Sequence, residues 1–424
     1  ILFIALIAFS LILIIFMTEV MLFIAPGFIP GSEKFALSTL LCRITIPYML
    51  FISASALIGG IQNSHGKFAP FAFAPIILNI AIIISCFFEG SNSEKSMFVS
   101  FGIFAGGVFQ LLFMILTSKI YKIEFGFTRI KNLSKDSIKF FKNMIPAAIG
   151  SSVTQINLFI SQAISSFAPG AISILSYSDR IYQFPLSIIG ICFGTILLPK
   201  LAKLYKTEKI DEALDLQTKA IKLSLFFSIG SAAGIIALSH PIMHIVYERG
   251  AFTPEDTVKT AETIAIFAFG LPAFILSKVL TPVFYSKLDT KTPLKITTIS
   301  IFANLFFNII LIRDFAHLGI AIGTSIASWI NVALIIFYFK KLGIKILNRS
   351  ITSFTIKLLL SGAFMAFTVY LGLGIFENII YNSHIIFKFL GRCGLIFCGI
   401  LCFIMGITTS KAIKFSEIKL LFKR

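Results

Sequence analysis

The chain opens on ILFIALIAFSLILIIFMTEVMLFIA, twenty-five residues in which Glu19 is the one charged group. Apolar runs of this kind recur to the end of the chain. A helix of about 20 apolar residues crosses the roughly 30 Å hydrocarbon core of a bilayer. The chain therefore reads as all-α and polytopic, a membrane protein from end to end. Composition agrees. Only 13% of residues are charged and 57% are hydrophobic, whereas a soluble domain carries about 25% charge.

Hydropathy and loop punctuation place twelve transmembrane helices at 1–25, 37–62, 69–88, 97–119, 140–167, 170–198, 219–247, 257–283, 293–313, 317–339, 353–377 and 384–409. Breakers separate them, among them APGFIPGSEK, EGSNSEK, ERGAFTPED and LDTKTP. Ile1 already lies inside an apolar run, with no basic stretch before it and no small-residue cleavage site, so the chain reads as cut at its N-terminus rather than as starting with a signal peptide.

The net charge of +18 raises the question of nucleic acid. Its placement answers it. Most basic residues fall in alternate loops: the 119–142 stretch, PKLAKLYKTEK, YSKLDTKTPLK, KKLGIKILNR and the tail from Lys411. The opposite loops hold Lys34, Lys95, Arg249 and Arg313. Cytoplasmic loops carry the excess of Lys and Arg, so the rich set and the C-terminus are placed inside. No nucleic-acid partner is needed. The basic stretch after Pro199 reads either as a surface helix on the inner leaflet or as a solvated loop.

The chain also repeats itself. TIPYMLFISASALIGGIQNSHGKFAPFAFAPIILNI aligns with GLPAFILSKVLTPVFYSKLDTKTPLKITTISIFANL at an offset of 225, with Pro47 on Pro272 and Asn79 on Asn304. The first four spans thus match spans seven to ten in the same orientation, a parallel repeat typical of transporters. Counterparts of spans five and six would precede Ile1. The expected organisation is two pseudo-symmetric lobes, the first truncated to residues 1–119 and the second at 140–339. Two additional helices at 353–409 and a basic tail at 410–424 follow.

Charges within the spans mark candidate sites. Arg43, Lys278, Lys357, Lys388 and Arg392 lie near span ends, where long basic side chains can reach the headgroups. Arg180, in SYSDRIYQFP, differs. Ten residues at about 1.5 Å each place it roughly 15 Å deep, and a charge there costs at least about 3 kcal/mol. It must face a protein interior or a watered cavity. Asp179 leaves the helix about 100° away, so one reading has Asp179 tying its helix to a neighbour while Arg180 faces the cavity. Arginine suits phosphate because its planar fork donates parallel bonds and stays charged. A structural salt bridge between helices is the competing reading. Pro146, Pro185 and Pro272 are expected to bend or break their helices.

No catalytic constellation stands out. His240 and His244 in HPIMH have the i, i+4 spacing of metal ligands, but no glutamate lies between them and Pro241 disturbs the helix. The sequence has no Walker loop, no G-x-S-x-G and no CxxC pair. Cys42, Cys86, Cys192, Cys393, Cys398 and Cys402 all lie in apolar segments and read as reduced core residues. No metal site and no bound cofactor are expected, and the protein reads as a transporter, not an enzyme.

LSYSDRIYQFPLSIIGICFGTILLPKLAK (175–203), ERGAFTPEDT (248–257), GLPAFILSKVLTPVFYSKLDTKTPLKI (270–296) and KFALSTLLCRITIPYMLFIS (34–53) resemble the MurJ/MviN lipid II flippases, within the multidrug/oligosaccharidyl-lipid/polysaccharide exporter group. The resemblance runs over essentially the whole chain. It implies fourteen helices, with the first span here standing third. It implies a multi-pass protein of the bacterial cytoplasmic membrane that moves an undecaprenyl-pyrophosphate-linked peptidoglycan precursor between leaflets. The partners it implies are that substrate, membrane lipid and the cell-wall synthesis machinery. Arg180 matches the family's arginine on the eighth helix, in a cationic cavity between lobes, and Asp179, Arg43 and Lys278 are taken with it as substrate-binding candidates. The last two helices would form a groove for the prenyl tail. The resemblance also implies a sodium site at Asn304, Asn308 and Thr324, with an Asp on the preceding lobe helix. Here Ser161 takes the place of that Asp. Neutral oxygens alone hold a hard cation poorly, which counts against sodium coupling. The alternative function is export of another polyprenyl-linked saccharide or of drugs.

Overall fold

The computed structural model describes residues 2–123, 155–287, 289–343, 349–375 and 385–410. Among the described residues every regular element is an α-helix. In chain order they are α1 (Leu2–Ile15), α2 (Met17–Ile24), α3 (Glu33–Thr45), α4 (Tyr48–Ser64), α5 (Ala69–Ser85) and α6 (Asn92–Ile120). Then follow α7 (155–165), α8 (Ala171–Lys206), α9 (Ile210–Tyr247), α10 (Pro254–Ser286), α11 (Lys291–Lys341), α12 (Arg349–Ile375) and α13 (Ile385–Thr409). Helices satisfy their own backbone groups, which hydrocarbon demands. Their outer faces carry side chains that water would not favour, such as Phe23 at 75% and Phe184 at 71% exposure. Two compact units divide the chain, Ile1–Ile149 and Gly150–Arg424.

In the first unit the expected span 1–25 is not one straight helix: α1 and α2 meet at an angle of 82°. α3 and α4 are separated only by Ile46 and Pro47 and together make a span of 32 residues. Proline offers no N–H to the preceding turn, so the break falls beside it. Ser91 opens α6 with a capping box closed by Glu94. α5 and α6 then form a hairpin so tight that a Cβ on Gly102 would lie 2.6 Å from Ser85 Oγ. Small residues let helices approach this closely. The fully buried Gln62 of α4 donates to Met114 O, Thr117 Oγ1 and Ser118 Oγ of α6, at 3.2, 3.0 and 2.7 Å, an amide clasp between two helices.

The second unit builds the same order from α10 and α11. The 51-residue α11 is two helices joined at Ala316, whose φ of 47° and ψ of −123° leave helical geometry. Beyond it the chain doubles back. A Cβ on Gly319 would stand 2.4 Å from Leu311 O, and one on Gly323 2.3 Å from Asn308 Oδ1. The arms correspond to the expected spans 293–313 and 317–339. A long span followed by a tight hairpin therefore occurs in each unit. Phe284 of α10 stacks on Phe339 of the second arm at 4.6 Å in the main core of the unit, which α9 and α12 complete. α13 packs on α12 and α9.

Several expectations change here. The stretch after Pro199 continues as helix rather than as a loop. α8 runs through Pro185 and Pro199 to Lys206 and turns at Glu208, and α9 begins at Ile210. Leu201 and Ala213, both at 0% exposure, bury the facing sides of these helix ends. α10 continues helical through Pro272, while α9 leaves helical geometry at Leu238, three residues before Pro241, where the ring displaces the preceding turn. Six described spans are long and apolar enough to cross a membrane, seven if α1 with α2 is one, and α11 counts once among them although it doubles back. Residues 140–154, with Pro146, the tail from 411 and the side chains of Lys388 and Arg392 lie outside the described residues.

Candidate functional site

Helix α8 carries the stretch SYSDRIYQFP and separates its two charges onto different sides. Asp179 lines a cavity of about 700 Å³ inside the second unit, with residues of α7 and the α11 hairpin forming other walls. Its carboxylate accepts from the Gln183 amide one turn on, and Tyr182 lies within hydrogen-bonding reach. Both partners sit on α8 itself, at the i+3 and i+4 positions that share a helix face. Among the described residues no hydrogen-bond partner of Asp179 lies on another helix, so the expected tie to a neighbour is not found there. That work falls to Ser178, whose buried hydroxyl donates to Thr260 O of α10 at 3.1 Å, and to Tyr182, which stacks on Phe274 at 5.5 Å and packs on Phe267 at 4.9 Å. Arg180 does not line this cavity. It is exposed and forms no ion pair among the described residues.

The four residues of the expected cation site come together. Ser161 of α7 donates to Asn304 Oδ1 at 3.1 Å, and Asn308 Nδ2 donates to the same oxygen at 3.1 Å. Asn304 Nδ2 donates to Thr324 Oγ1 at 3.2 Å, and Thr324 donates to Ile320 O at 2.8 Å. Ser161 and Thr324 line the same cavity as Asp179. Asn304 and Asn308 are buried at 1% and 0% exposure. The cluster is neutral, and Asn304 Oδ1 already takes two donors. Asn308 Oδ1 is buried with no hydrogen-bond partner among the described residues, so the cluster has one oxygen left to offer but no carboxylate. As it stands the network joins α7 to both arms of α11.

The remaining candidates lie apart. Arg43, in the first unit, is exposed and donates to Thr18 Oγ1 of α2 at 3.4 Å. Lys278 of α10 lays its stem across Gly190 of α8, where a Cβ would meet Lys278 Cδ at 2.7 Å. His244 pairs with Glu248 at 3.5 Å, and among the described residues no group of His, Cys, Asp and Glu could hold a metal. Cys402 is buried, but Cys86, at the end of α5, and Cys398 are exposed, so for these two the core reading is corrected; the side chains of Cys192 and Cys393 lie outside the described residues. Sequence reasoning passed over Tyr182 and Gln183, although their i+3 and i+4 spacing from Asp179 was visible.

Long apolar helices in two units, a recurring span-and-hairpin order and a polar cavity behind an apolar exterior define a multi-pass membrane transporter. A multidrug resistance transporter of the MATE family in its inward-facing conformation superposes with a TM-score of 0.64 at 13% identity, over 81% of this chain and 79% of that one, a likeness of fold. A solved lipid II flippase MurJ in an inward closed conformation gives 0.77 at 27% identity over 96% of this chain and 81% of that one. The family model "Lipid II flippase MurJ" matches residues 1–390. The probable lipid II flippase MurJ of Rickettsia prowazekii is 48% identical over 88% of this chain and 74% of its own length. That of Rhizobium tropici is 37% identical over 81% of this chain and 65% of its own. The chain belongs to the MurJ lipid II flippase family. It is therefore a multi-pass protein of the bacterial inner membrane and a transporter rather than an enzyme, and it spans between about three-fifths and three-quarters of the length of the first curated relatives.

Proposed function

We propose that this protein moves lipid II, the peptidoglycan precursor carried on undecaprenyl pyrophosphate, from the inner to the outer leaflet. One observation carries the reading: the family match covers residues 1–390, Arg180 among them. The geometry supports it. An exposed guanidinium on a helix buried in apolar surroundings offers a pyrophosphate a bidentate, permanently charged partner. Arg43 and Lys278 are exposed cations with no ion-pair partner among the described residues, and they are counted as further substrate contacts, each in its own unit. Transport needs no chemical step, only alternating access to the two leaflets. The neutral Ser161–Asn304–Asn308–Thr324 network supports a driving force other than sodium bound there, such as the membrane potential. The basic loops and the C-terminus face the cytoplasm, and the released substrate serves cell-wall synthesis on the far side.

The test is survival of bacteria depleted of their own lipid II flippase. The complete coding sequence containing this chain is expressed as wild type and as Arg180→Ala, with membrane levels checked. Wild type is expected to restore growth, and Arg180→Ala to lose it at equal abundance. Rescue by both removes Arg180 from substrate binding. Rescue by neither, with both in the membrane, moves the substrate to another lipid-linked saccharide.

A further inference from the structure

A second cavity, of about 550 Å³, opens at the other end of the Ser173–Tyr177–Arg180 face of α8. It shares no lining residue with the one that holds Asp179. Three rings form part of its wall. Tyr177 and Tyr247 lie 4.9 Å apart between centroids, and Phe252 meets Tyr177 edge-on at 5.3 Å. The Tyr247 hydroxyl donates to Tyr177 O at 3.4 Å, which fixes the pair.

The charges around these rings are unequally engaged. Asp256 lines the pocket, but its carboxylate accepts from Thr253 N and Thr253 Oγ1 at 3.0 and 2.8 Å and so closes the cap of α10. Lys259 pairs with Glu255 at 2.6 Å on the exposed surface, where such pairs are weak and exchangeable. Among the described residues Arg249 makes one side-chain bond, to Val246 O at 3.0 Å, which leaves other donors of its fork to be offered. The pocket therefore presents flat aromatic faces beside cationic donors. A sugar ring packs its C–H face on such rings, and a guanidinium fork matches phosphate oxygens.

Position connects the pocket to Arg180. Ser173, Tyr177 and Arg180 follow at i, i+4 and i+7, one stripe of α8. Tyr247 bonds to Tyr177 O, three residues before Arg180 on that stripe. On the charge-based orientation, the 248–257 loop is outside, so the stripe leads from Arg180 toward the outer leaflet.

We infer that this pocket is an outer station for a phosphorylated saccharide headgroup, which takes over the ligand from Arg180 before release. The inference rests on the flippase reading. The test is binding to the full-length purified protein in detergent, using three probes: a farnesyl-pyrophosphoryl saccharide, farnesyl pyrophosphate and farnesol. Arg249→Gln combined with Lys259→Gln is expected to weaken both pyrophosphate probes by about tenfold or more. Tyr247→Leu is expected to weaken only the saccharide-bearing probe, by roughly threefold to tenfold. Arg249→Lys, which keeps charge and loses the fork, separates recognition from folding and is expected to fall between wild type and the double variant at unchanged melting temperature. Wild-type affinities in all these variants overturn the outer station. If wild type binds none of the probes, the flippase reading fails with it. If wild type binds and only Arg180→Ala loses affinity, the flippase reading stands and the outer station does not.

Discussion

At the scale of single residues, the chain divides charge from neutrality with some economy. Arg180 is exposed and makes no ion pair among the described residues, Asp179 turns into a cavity, and the Ser161 cluster at that cavity has amides and hydroxyls only. The identity of Arg180 and its distance along the helix were legible, because rise per residue is fixed. Its direction was not, because rotation of a helix about its axis is set by what it packs against. The cluster at Ser161 invites a direct experiment. Ser161→Asp places a carboxylate beside Asn304 and Asn308, and sodium is expected to stabilise that variant. At a concentration of about 100 times the dissociation constant the gain is about 2.7 kcal/mol. Melting curves in sodium and in a bulky organic cation check it: wild type is expected to show no difference. A sodium-dependent rise in wild type would defeat the neutral reading of this network.

At the scale of elements, hydropathy found the helices and missed their joints. The expected gap between 313 and 317 does bracket Ala316, where α11 reverses. The 82° bend after α1 and the merger of α8 with its basic extension were not legible. Neither is marked by composition. Pro199 even argued for an end to α8, but Leu201 is fully buried in the core, and packing of the continued helix outweighs a lost backbone bond. The hairpin of α11 depends on contact between backbones. Gly319→Ala forces a methyl into the Leu311 carbonyl, which a flexible side chain cannot relieve. It is expected to cost about 1–3 kcal/mol, read as a fall in melting temperature. Gly60→Ala, where a Cβ meets nothing within 4 Å, is the control and is expected to leave stability unchanged or raise it. Equal effects of the two would show that the hairpin has slack.

At the scale of the whole molecule, topology is the property with the simplest test. In a chain with its native cysteines replaced, Ser416→Cys is expected to react with an impermeant thiol reagent only after the membrane is opened, and Ser93→Cys in intact cells. The reverse pattern would invert the orientation and move the outer pocket inside. The sequence by itself determined the class of protein and its repeat, because the free energy of placing a segment in hydrocarbon sums over that segment's own residues. Loop charge acts in the same local way. Tertiary structure alone decided which side chains meet. Ser161 reaches Asn304 across 143 positions of the chain, and Tyr177 meets Tyr247 across the interface of α8 and α9. Such contacts depend on how helices are rotated and paired, and that is fixed by close packing over the entire unit rather than by any local stretch.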